Sequence, residues 1–327
     1  MRENQRSSIL VCLLIIGGFF ANAEARTVHI AVPTLSMVVI AFTTAKEKGY
    51  YREEGLDVDL VVMRDTLGIS ALIGGNADFA SMSGAGLTAI LGGVPLRFGF
   101  SSFYRPMFWI YSKPEIQDIK ALKGKRIGVT GLGSGPYNLL RETLKRNGLE
   151  GGRDAVILAL GLPSTVATAL RTGTVDAATI SPPFNFAVKD AGLRELVSFL
   201  KEDFVELQGS ILAHERIFQS DPGLVEKFVR GTVKGLRYAR ENKGGTIPIL
   251  LRYMKIKEDL AGQYYDLVRP IMTSDGTVSV DMQRKYLDQA LKVITPKESP
   301  SAEKIFNYSL AHKVSADLDV TGWKPGK

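Results

Sequence analysis

Apolar and polar positions along the first two thirds of the chain predict alternating strands and helices. Short apolar or alternating segments, such as Arg26–Val32 and Leu56–Val62, predict strands, because side chains alternate between the two faces of a sheet. Segments with apolar residues three or four apart, such as residues 163–171, predict helices between the strands. From Asp221 onward only helical patterns occur, over residues 224–242, 246–254, 258–268 and 280–293. The chain therefore predicts an α/β fold that ends in a helical segment.

One segment of this pattern occurs twice. Residues 71–83 read ALIGGNADFASMS and residues 169–181 read ALRTGTVDAATIS, so six of thirteen positions match without a gap. In each copy a helix end is followed by a glycine turn, an aspartate and a short apolar strand. Strand and helix signals upstream recur at offsets of 97 and 99 residues, close to the offset of 98 between the copies. The agreement predicts two like α/β units, hence two doubly wound lobes with a cleft between them.

The order of the elements predicts how the chain divides between the lobes. A strand signal at residues 209–214 suggests a return to the first unit, and we expect the helices after Asp221 to pack there. The prediction is therefore a discontinuous first lobe, residues 26–112 and 206–327, and a second lobe of residues 113–205. Two crossover segments, near Ser112 and Val205, would join the lobes.

The N-terminus has the pattern of a secretory signal peptide. Arg2 and Arg6 precede an apolar run, residues 9–20, that is too short to span a membrane, and small residues follow it. We expect a signal peptide within residues 1–25, cleaved after Ala23 or Ala25, which places the exported chain in the periplasm. Bulky Val11 before Cys12 makes that cysteine a poor lipid acceptor.

Composition narrows the classes of function. The chain has 327 residues, 45% hydrophobic and 23% charged, which suits two lobes that each bury a core. Its only cysteine is Cys12, so the exported chain has no disulfide, thiolate metal site or cysteine nucleophile. The net charge of +7 includes no basic run interleaved with aromatics, so we expect no nucleic-acid partner. The glycines of residues 131–135 lack dinucleotide-binding spacing, and we expect no cofactor, metal or catalytic set.

Four strand-to-helix junctions carry the candidate ligand-binding residues. Their small or hydroxyl residues are Thr34 and Ser36, Ser83 and Gly84, Ser134 and Gly135, and Ser181. Backbone N–H groups and the positive end of a helix dipole suit an oxyanion at such places. Three aromatics near loop ends, Tyr104, Tyr137 and Phe184, are expected to cover the apolar part of the ligand, with Arg105 as an alternative anion contact. Singly these residues fit helix caps or core positions; equivalent places in two units favour binding.

The two repeated aspartates have a different predicted role. Asp78 and Asp176 each precede the strand of their repeat, away from the expected cleft. We expect them to cap turns or to accept hydrogen bonds from backbone N–H groups.

Several motifs resemble the solute-binding proteins of nitrate/sulfonate/taurine-type ABC transporters. The opening run AKEKGYYREEGLDV at residues 45–58 is similar to the start of that family. GNADF at residues 75–79, LKGKRIGV at 122–129 and GTVDA at 173–177 resemble its later landmarks. The chain is also similar to thiamine-precursor-binding proteins, although it lacks the cysteine-rich motif of the related thiamine-pyrimidine synthases. Sulfonate binders of the family often carry an acidic residue or tryptophan where this chain has Ser181 and Pro182.

The resemblance implies a fold and a role. The fold is the type II periplasmic-binding fold, whose two lobes close on a ligand about the crossovers. The role is that of a monomeric, non-enzymatic protein that captures a small, anionic organic solute and delivers it to an ABC permease in the inner membrane. Sulfonate, nitrate, a pyrimidine and another organic acid remain open as ligands. The alternatives are an exported enzyme on the same fold, such as a lyase on a small acid, and a sensory binding protein.

Overall fold

The computed structural model describes residues 25–298 and 301–326, so the predicted signal peptide lies outside the described residues except for Ala25. Ten strands in these ranges form two five-stranded sheets. In chain order the strands are β1 (Arg26–Val32), β2 (Leu56–Val62), β3 (Phe79–Ala80), β4 (Leu96–Phe103), β5 (Trp109–Ser112), β6 (Arg126–Val129), β7 (Val156–Ala159), β8 (Ala177–Ile180), β9 (Arg194–Ser198) and β10 (Gln208–His214).

Helices cover the sheets and make up the C-terminal part of the chain. In chain order they are α1 (Ile40–Glu47), α2 (Tyr50–Glu53), α3 (Asp65–Gly74), α4 (Ser83–Leu91), α5 (Gly135–Arg146), α6 (Pro163–Arg171), α7 (Phe184–Asp190), α8 (Glu215–Ser220), α9 (Pro222–Glu241), α10 (Lys243–Met254), α11 (Glu258–Val268), α12 (Val280–Leu291), α13 (Ala302–Ile305) and α14 (Ser309–Val320). The helical end predicted after Asp221 is confirmed. Within the described ranges, no helix has the length and apolar character needed to cross a membrane.

The two sheets have the same topology. The first has the order β2-β1-β3-β10-β4 and the second the order β7-β6-β8-β5-β9. In each, a central strand pairs in parallel with two neighbours, Ala31 opposite Ala80 in the first sheet and Gly128 opposite Ala178 in the second. The fourth strand of each order, β10 or β5, is antiparallel to both of its neighbours. The duplicated pattern in the sequence thus corresponds to two sheets of matching strand order.

The antiparallel strands are exchanged between the two halves. Strand β5 pairs with β8 and β9 of the second sheet, although it follows the strands of the first sheet along the chain. This differs from the predicted boundary at Ser112, because residues 109–112 belong to the second sheet by their hydrogen bonds. The chain therefore passes between the sheets at residues 104–108 and 199–207. The second passage contains Val205, where a crossover is predicted.

A stack of aromatic rings joins the C-terminal helices to the first sheet. The ring of Phe228 on α9 stacks on Phe79 of β3 at 4.2 Å and on Tyr51 of α2 at 5.3 Å between centroids. Buried residues of α11 and α14 extend the same core. The second sheet has smaller cores of its own on its two faces. Each half therefore has a hydrophobic core of its own.

The repeated aspartates make equivalent contacts in the two halves. Asp78 Oδ2 accepts a hydrogen bond from the backbone N–H of His29 at 2.8 Å, and Asp176 Oδ2 accepts one from that of Arg126 at 3.0 Å. Each carboxylate thus holds the turn before a short strand against the neighbouring central strand. The predicted backbone-binding role is confirmed for both aspartates.

Candidate functional site

A cavity of about 70 Å³ lies where the two halves meet. The starts of four helices line it, two from each half: Asp65 of α3, Ser83 and Gly84 of α4, Gly135 and Pro136 of α5, and Pro163 of α6. The crossover segments add Phe108 and Glu206, and Gln208 opens β10 beside them. The volume exceeds the roughly 10–15 Å³ that one water molecule needs, so the cavity can hold a small solute.

Three buried serine hydroxyls at this cavity have no hydrogen-bond partner among the residues that the structure describes. They are Ser36 after β1, Ser81 after β3 and Ser181 after β8. A buried hydroxyl without a partner costs about 1–3 kcal/mol, so such groups in native proteins usually bind water or a ligand. Three of them around one cavity indicate a place that receives a polar molecule.

The first of two carboxyl groups at the cavity belongs to Asp65. It begins α3 in the first half and accepts a hydrogen bond of 3.1 Å from Thr130 Oγ1, which follows β6 in the second half. Burial raises the pKa of Asp65 to about 6, against the lowering effect of the threonine hydroxyl. This hydrogen bond joins the two halves across the cavity.

The second carboxyl group belongs to Glu206 on the crossover at residues 199–207. Only 5% of Glu206 is exposed, and Tyr286 of α12 donates a hydrogen bond of 3.4 Å to its Oε1. Burial raises the pKa of Glu206 to about 8, and the negative charge of Asp65 acts in the same direction. Oε1 also lies 2.5 Å from the place where a Cβ on Gly135 would stand. The carboxyl of Glu206 therefore occupies the start of α5.

No lysine, arginine or histidine is among the described residues that line the cavity. The ionisable side chains at its wall are thus two carboxyl groups, Asp65 and Glu206. The helix starts carry partial positive charge, but two of them, those of α3 and α5, already face these carboxyls. Described residues also include no cluster of three or more side chains able to hold a metal ion.

Two glycines bring the halves into direct contact beside the cavity. A Cβ on Gly84 at the start of α4 would stand well within 3.0 Å of the backbone N and Cα of Gly135. Farther along α4, Thr88 Oγ1 donates a hydrogen bond of 2.8 Å to the carbonyl of Gly133. The two helix starts therefore touch backbone to backbone, as in a closed cleft.

Six of the ten residues predicted for the site line the cavity: Thr34, Ser36, Ser83, Gly84, Gly135 and Ser181. They come from four places in the fold, namely the loop after β1, the start of α4, the start of α5 and the residue after β8. A role for them in ligand binding remains a prediction.

Ser134 and Tyr137 lie away from the cavity wall. The hydroxyl of Ser134 caps α5, accepting a hydrogen bond of 3.3 Å from the backbone N–H of Tyr137. The ring of Tyr137 packs against the core of the second half, with the guanidinium of Arg141 5.6 Å from its centroid. Both residues thus stabilise the helix whose first residue does reach the cavity.

The other two predicted aromatics also have structural contacts. Tyr104 donates a hydrogen bond of 3.2 Å to the carbonyl of Pro270, and Phe184 packs on a core of the second sheet. Arg105, the alternative anion contact, donates instead to the carbonyl of Glu202 at 3.1 Å and does not line the cavity.

The sequence prediction missed the residues that carry charge at the cavity. Asp65 had a usable signal, because it stands 98 residues before Pro163 and both residues begin equivalent helices at the cavity. Thr130 follows a strand of the second unit and could have been added by the same junction rule. Glu206 lies in an irregular crossover, where no periodic pattern indicates which way a side chain points.

Comparisons with known proteins point to one family. A family model described as NMT1/THI5 like matches residues 36–244, well over half of the chain. No curated protein matches the sequence.

Solved structures show the same fold at low identity. The periplasmic nitrate-binding protein NrtA from Synechocystis PCC 6803 aligns with a TM-score of 0.73 at 12% identity, over 91% of this chain and 90% of that one. The alkanesulfonate-binding protein SsuA from Xanthomonas axonopodis pv. citri, bound to MOPS, gives 0.69 at 21%, over 87% and 100%. The desulfurization enzyme DSZB gives 0.65 at 16%, over 89% and 99%.

These likenesses agree with the two sheets of matching strand order and the cavity between them. The predicted fold class, a periplasmic-binding-protein-like α/β fold with two lobes, is confirmed. Because the family model matches residues 36–244, more than half of the chain, the chain belongs to the NMT1/THI5-like family.

Proposed function

We propose that the chain is an extracytoplasmic solute-binding protein that captures a small solute between its lobes and delivers it to an ABC importer. The observation that carries the proposal is the cavity at the contact of the two halves, with three buried serine hydroxyls that lack partners. Such hydroxyls become satisfied when a polar solute enters. Two crossover segments beside the cavity supply the hinge that capture and release require.

Two relatives support a transport role. Their names describe a nitrate-binding and an alkanesulfonate-binding protein, and the first is called periplasmic. The N-terminal pattern of a signal peptide agrees with export of this chain to the periplasm. We propose that the exported chain is a monomer, as its resemblance to solute-binding proteins implies.

The ligand class needs a change from the sequence-based expectation of an anion. At the start of α5, the predicted oxyanion position is occupied by the carboxyl of Glu206. The lining residues offer a second carboxyl, Asp65, and no cationic side chain. We therefore propose a small polar solute without requiring a net negative charge.

The test is thermal unfolding of the exported chain, residues 26–327, in the presence of a library of small organic and inorganic solutes. A solute present at 100 times its dissociation constant should stabilise the protein by about 2.7 kcal/mol. The control is the double variant Ser36→Ala, Ser81→Ala, which removes two cavity hydroxyls and should bind the same solute more weakly. A protein that no solute stabilises would contradict the proposal.

The alternative of an exported enzyme is supported by the likeness to DSZB and by the raised pKa values of Asp65 and Glu206, which catalytic sites also use. Incubating the stabilising solute with the protein and recovering it by mass spectrometry separates the two roles. We expect the solute to be recovered unchanged. Uptake of that solute by cells from which the chain has been deleted separates import from sensing. If the chain serves import, these cells should no longer take up the solute. If the chain serves only sensing, uptake should persist.

A further inference from the structure

We propose that the solute presents a positively charged nitrogen group, an ammonium or amidinium, to the carboxyl groups of Glu206 and Asp65. The inference rests on the proposed solute-binding function and names the chemistry of the same cavity. Its basis is the placement of two carboxyls, one on a helix of the first half and one on a crossover, at one cavity of about 70 Å³.

Each carboxyl has few partners within the protein. Glu206 accepts from Tyr286 and Asp65 accepts from Thr130, and both donors are neutral hydroxyls. Glu206 is buried and Asp65 is half-buried, and the hydroxyl donors together with the partial charges of the helix starts offset only part of the hydration that an ionised carboxylate loses. A full counter-charge would offset the rest, and the described residues of the cavity wall include no cationic side chain. A cationic solute would supply it.

Groups on the surrounding elements do not change this balance. Behind Glu206, a smaller cavity leads to Glu142 of α5, and the cations on that side, Arg146 and Lys292, are paired with Glu142 at 2.9 and 3.4 Å. Beside Asp65, the guanidinium of Arg64 lies against Gly161, where a Cβ would stand 3.1 Å from its Nε, and does not line the cavity.

Binding of a cation should change the protonation of the Glu206 carboxyl, which can be measured. Because the pKa of Glu206 is raised to about 8, its carboxyl is mostly protonated at pH 7. A cation stabilises the ionised carboxylate and so lowers that pKa, releasing the proton to the solvent. Binding of a cation should then strengthen as the pH rises from 6 to 8.5, whereas binding of an anion should weaken.

Three molecules of one shape test the charge preference: acetamidinium, acetamide and acetate. Each has four non-hydrogen atoms, so they differ in charge while fitting the same space. Calorimetry on residues 26–327 should show acetamidinium binding with a dissociation constant on the order of millimolar, and at least about tenfold more tightly than acetate. Titrations in two buffers of different ionisation enthalpy should show net proton release on binding of acetamidinium at pH 7.

Two matched variants assign the effect to the cavity. Glu206→Gln keeps the shape and removes the charge, and it should abolish both the proton release and the preference for acetamidinium. Glu226→Gln changes a carboxyl on α9 that pairs with Arg230 and Lys313 and lines neither cavity, and it should leave both unchanged. Should Glu206→Gln fold poorly, the proton release of the wild-type chain still decides.

Any of three results overturns the inference: acetate binds as tightly as acetamidinium, acetamidinium binds with proton uptake, or acetamidinium shows no binding at about 50 mM, roughly 50 times a millimolar dissociation constant. In each of these cases the proposed function still stands when another library solute stabilises the protein. A protein that binds neither these probes nor any library solute contradicts both.

Discussion

Substituting alanine for Gly84 should hold the two lobes apart. The glycine begins α4 at the place where that helix touches the start of α5, and an added Cβ would overlap the backbone of Gly135. It would also stand 3.0 Å from the carbonyl carbon of Ser134. Non-bonded carbon atoms prefer about 3.5–4.0 Å, and backbone atoms cannot swing aside, so the halves must separate by roughly 1 Å or more. Contacts that cross the cavity, such as Thr130 with Asp65, would lengthen by a similar amount.

The expected effect falls on closure and not on folding. Within the first half, alanine in place of glycine favours the helix by up to about 1 kcal/mol, so the first lobe should keep its own stability. Loss of the closed contacts should weaken binding of the solute found by screening about tenfold to hundredfold, or about 1.4–2.8 kcal/mol. Gly131→Ala is the matched control, because a Cβ there meets nothing within 4 Å.

Calorimetry and small-angle scattering measure the two consequences. With saturating solute the wild-type chain should contract, whereas the Gly84→Ala variant should keep a larger radius of gyration and bind more weakly. Wild-type affinity together with wild-type contraction in the variant would show that the contact between α4 and α5 does not limit closure.

Three further predictions follow from single residues. Ser36→Ala should weaken solute binding about threefold to tenfold by calorimetry, through loss of one hydrogen bond, whereas Ser134→Ala should cost about 1 kcal/mol of unfolding free energy through loss of the α5 cap and leave affinity unchanged. Glu206→Gln should stabilise the protein at pH 8.5 but not at pH 4. Because the pKa of Glu206 is raised, the folded wild-type chain keeps a proton that the unfolded chain loses above about pH 4.5, so wild-type stability should fall as the pH rises from there to about 8. A wild-type stability that does not change with pH in chemical denaturation would refute this. Asp176→Asn should lower the free energy of unfolding at pH 7 by about 1 kcal/mol more than Asp78→Asn does, because Asp176 also binds Arg126 and Lys113. These two cations hold the pKa of Asp176 well below its usual range, so the difference between the variants should vanish only at strongly acid pH, where that carboxylate is protonated.

The parts of the fold that repeat were predictable because they depend on local signals. A strand, a loop and a helix start lie within a few residues of one another, so Ser83 and Ser181 could be placed at the cavity from the pattern alone. The same is true of Asp78 and Asp176, whose short distance to the preceding glycine turn indicates a backbone contact. Because the same residue types occur at equivalent positions in two units, the repeat supports these assignments more strongly than one copy of the segment would.

The exchanged strands were not predictable in the same way. Strand β5 has an apolar pattern that suits an interior position in either sheet, and its partners β8 and β9 lie more than 60 residues later in the chain. Which sheet a strand joins is settled by long-range hydrogen bonds and by the closing of two cores, neither of which leaves a local signal. The misplaced boundary at Ser112 has this cause, and so does the omission of Glu206, which reaches the cavity only because the second crossover returns there.

The cavity is asymmetric, because equivalent positions of the two repeats carry different residues. Asp65 and Pro163 begin matching helices, yet the first brings a carboxyl and the second an apolar ring. Ser36 and Ser134 are also 98 residues apart, but one hydroxyl lacks a partner at the cavity while the other caps its own helix. A site built from identical halves would prefer a symmetric ligand. Here Asp65 has no carboxyl counterpart at Pro163, so the proposed solute, with a nitrogen group at one end, would have a preferred orientation between the lobes.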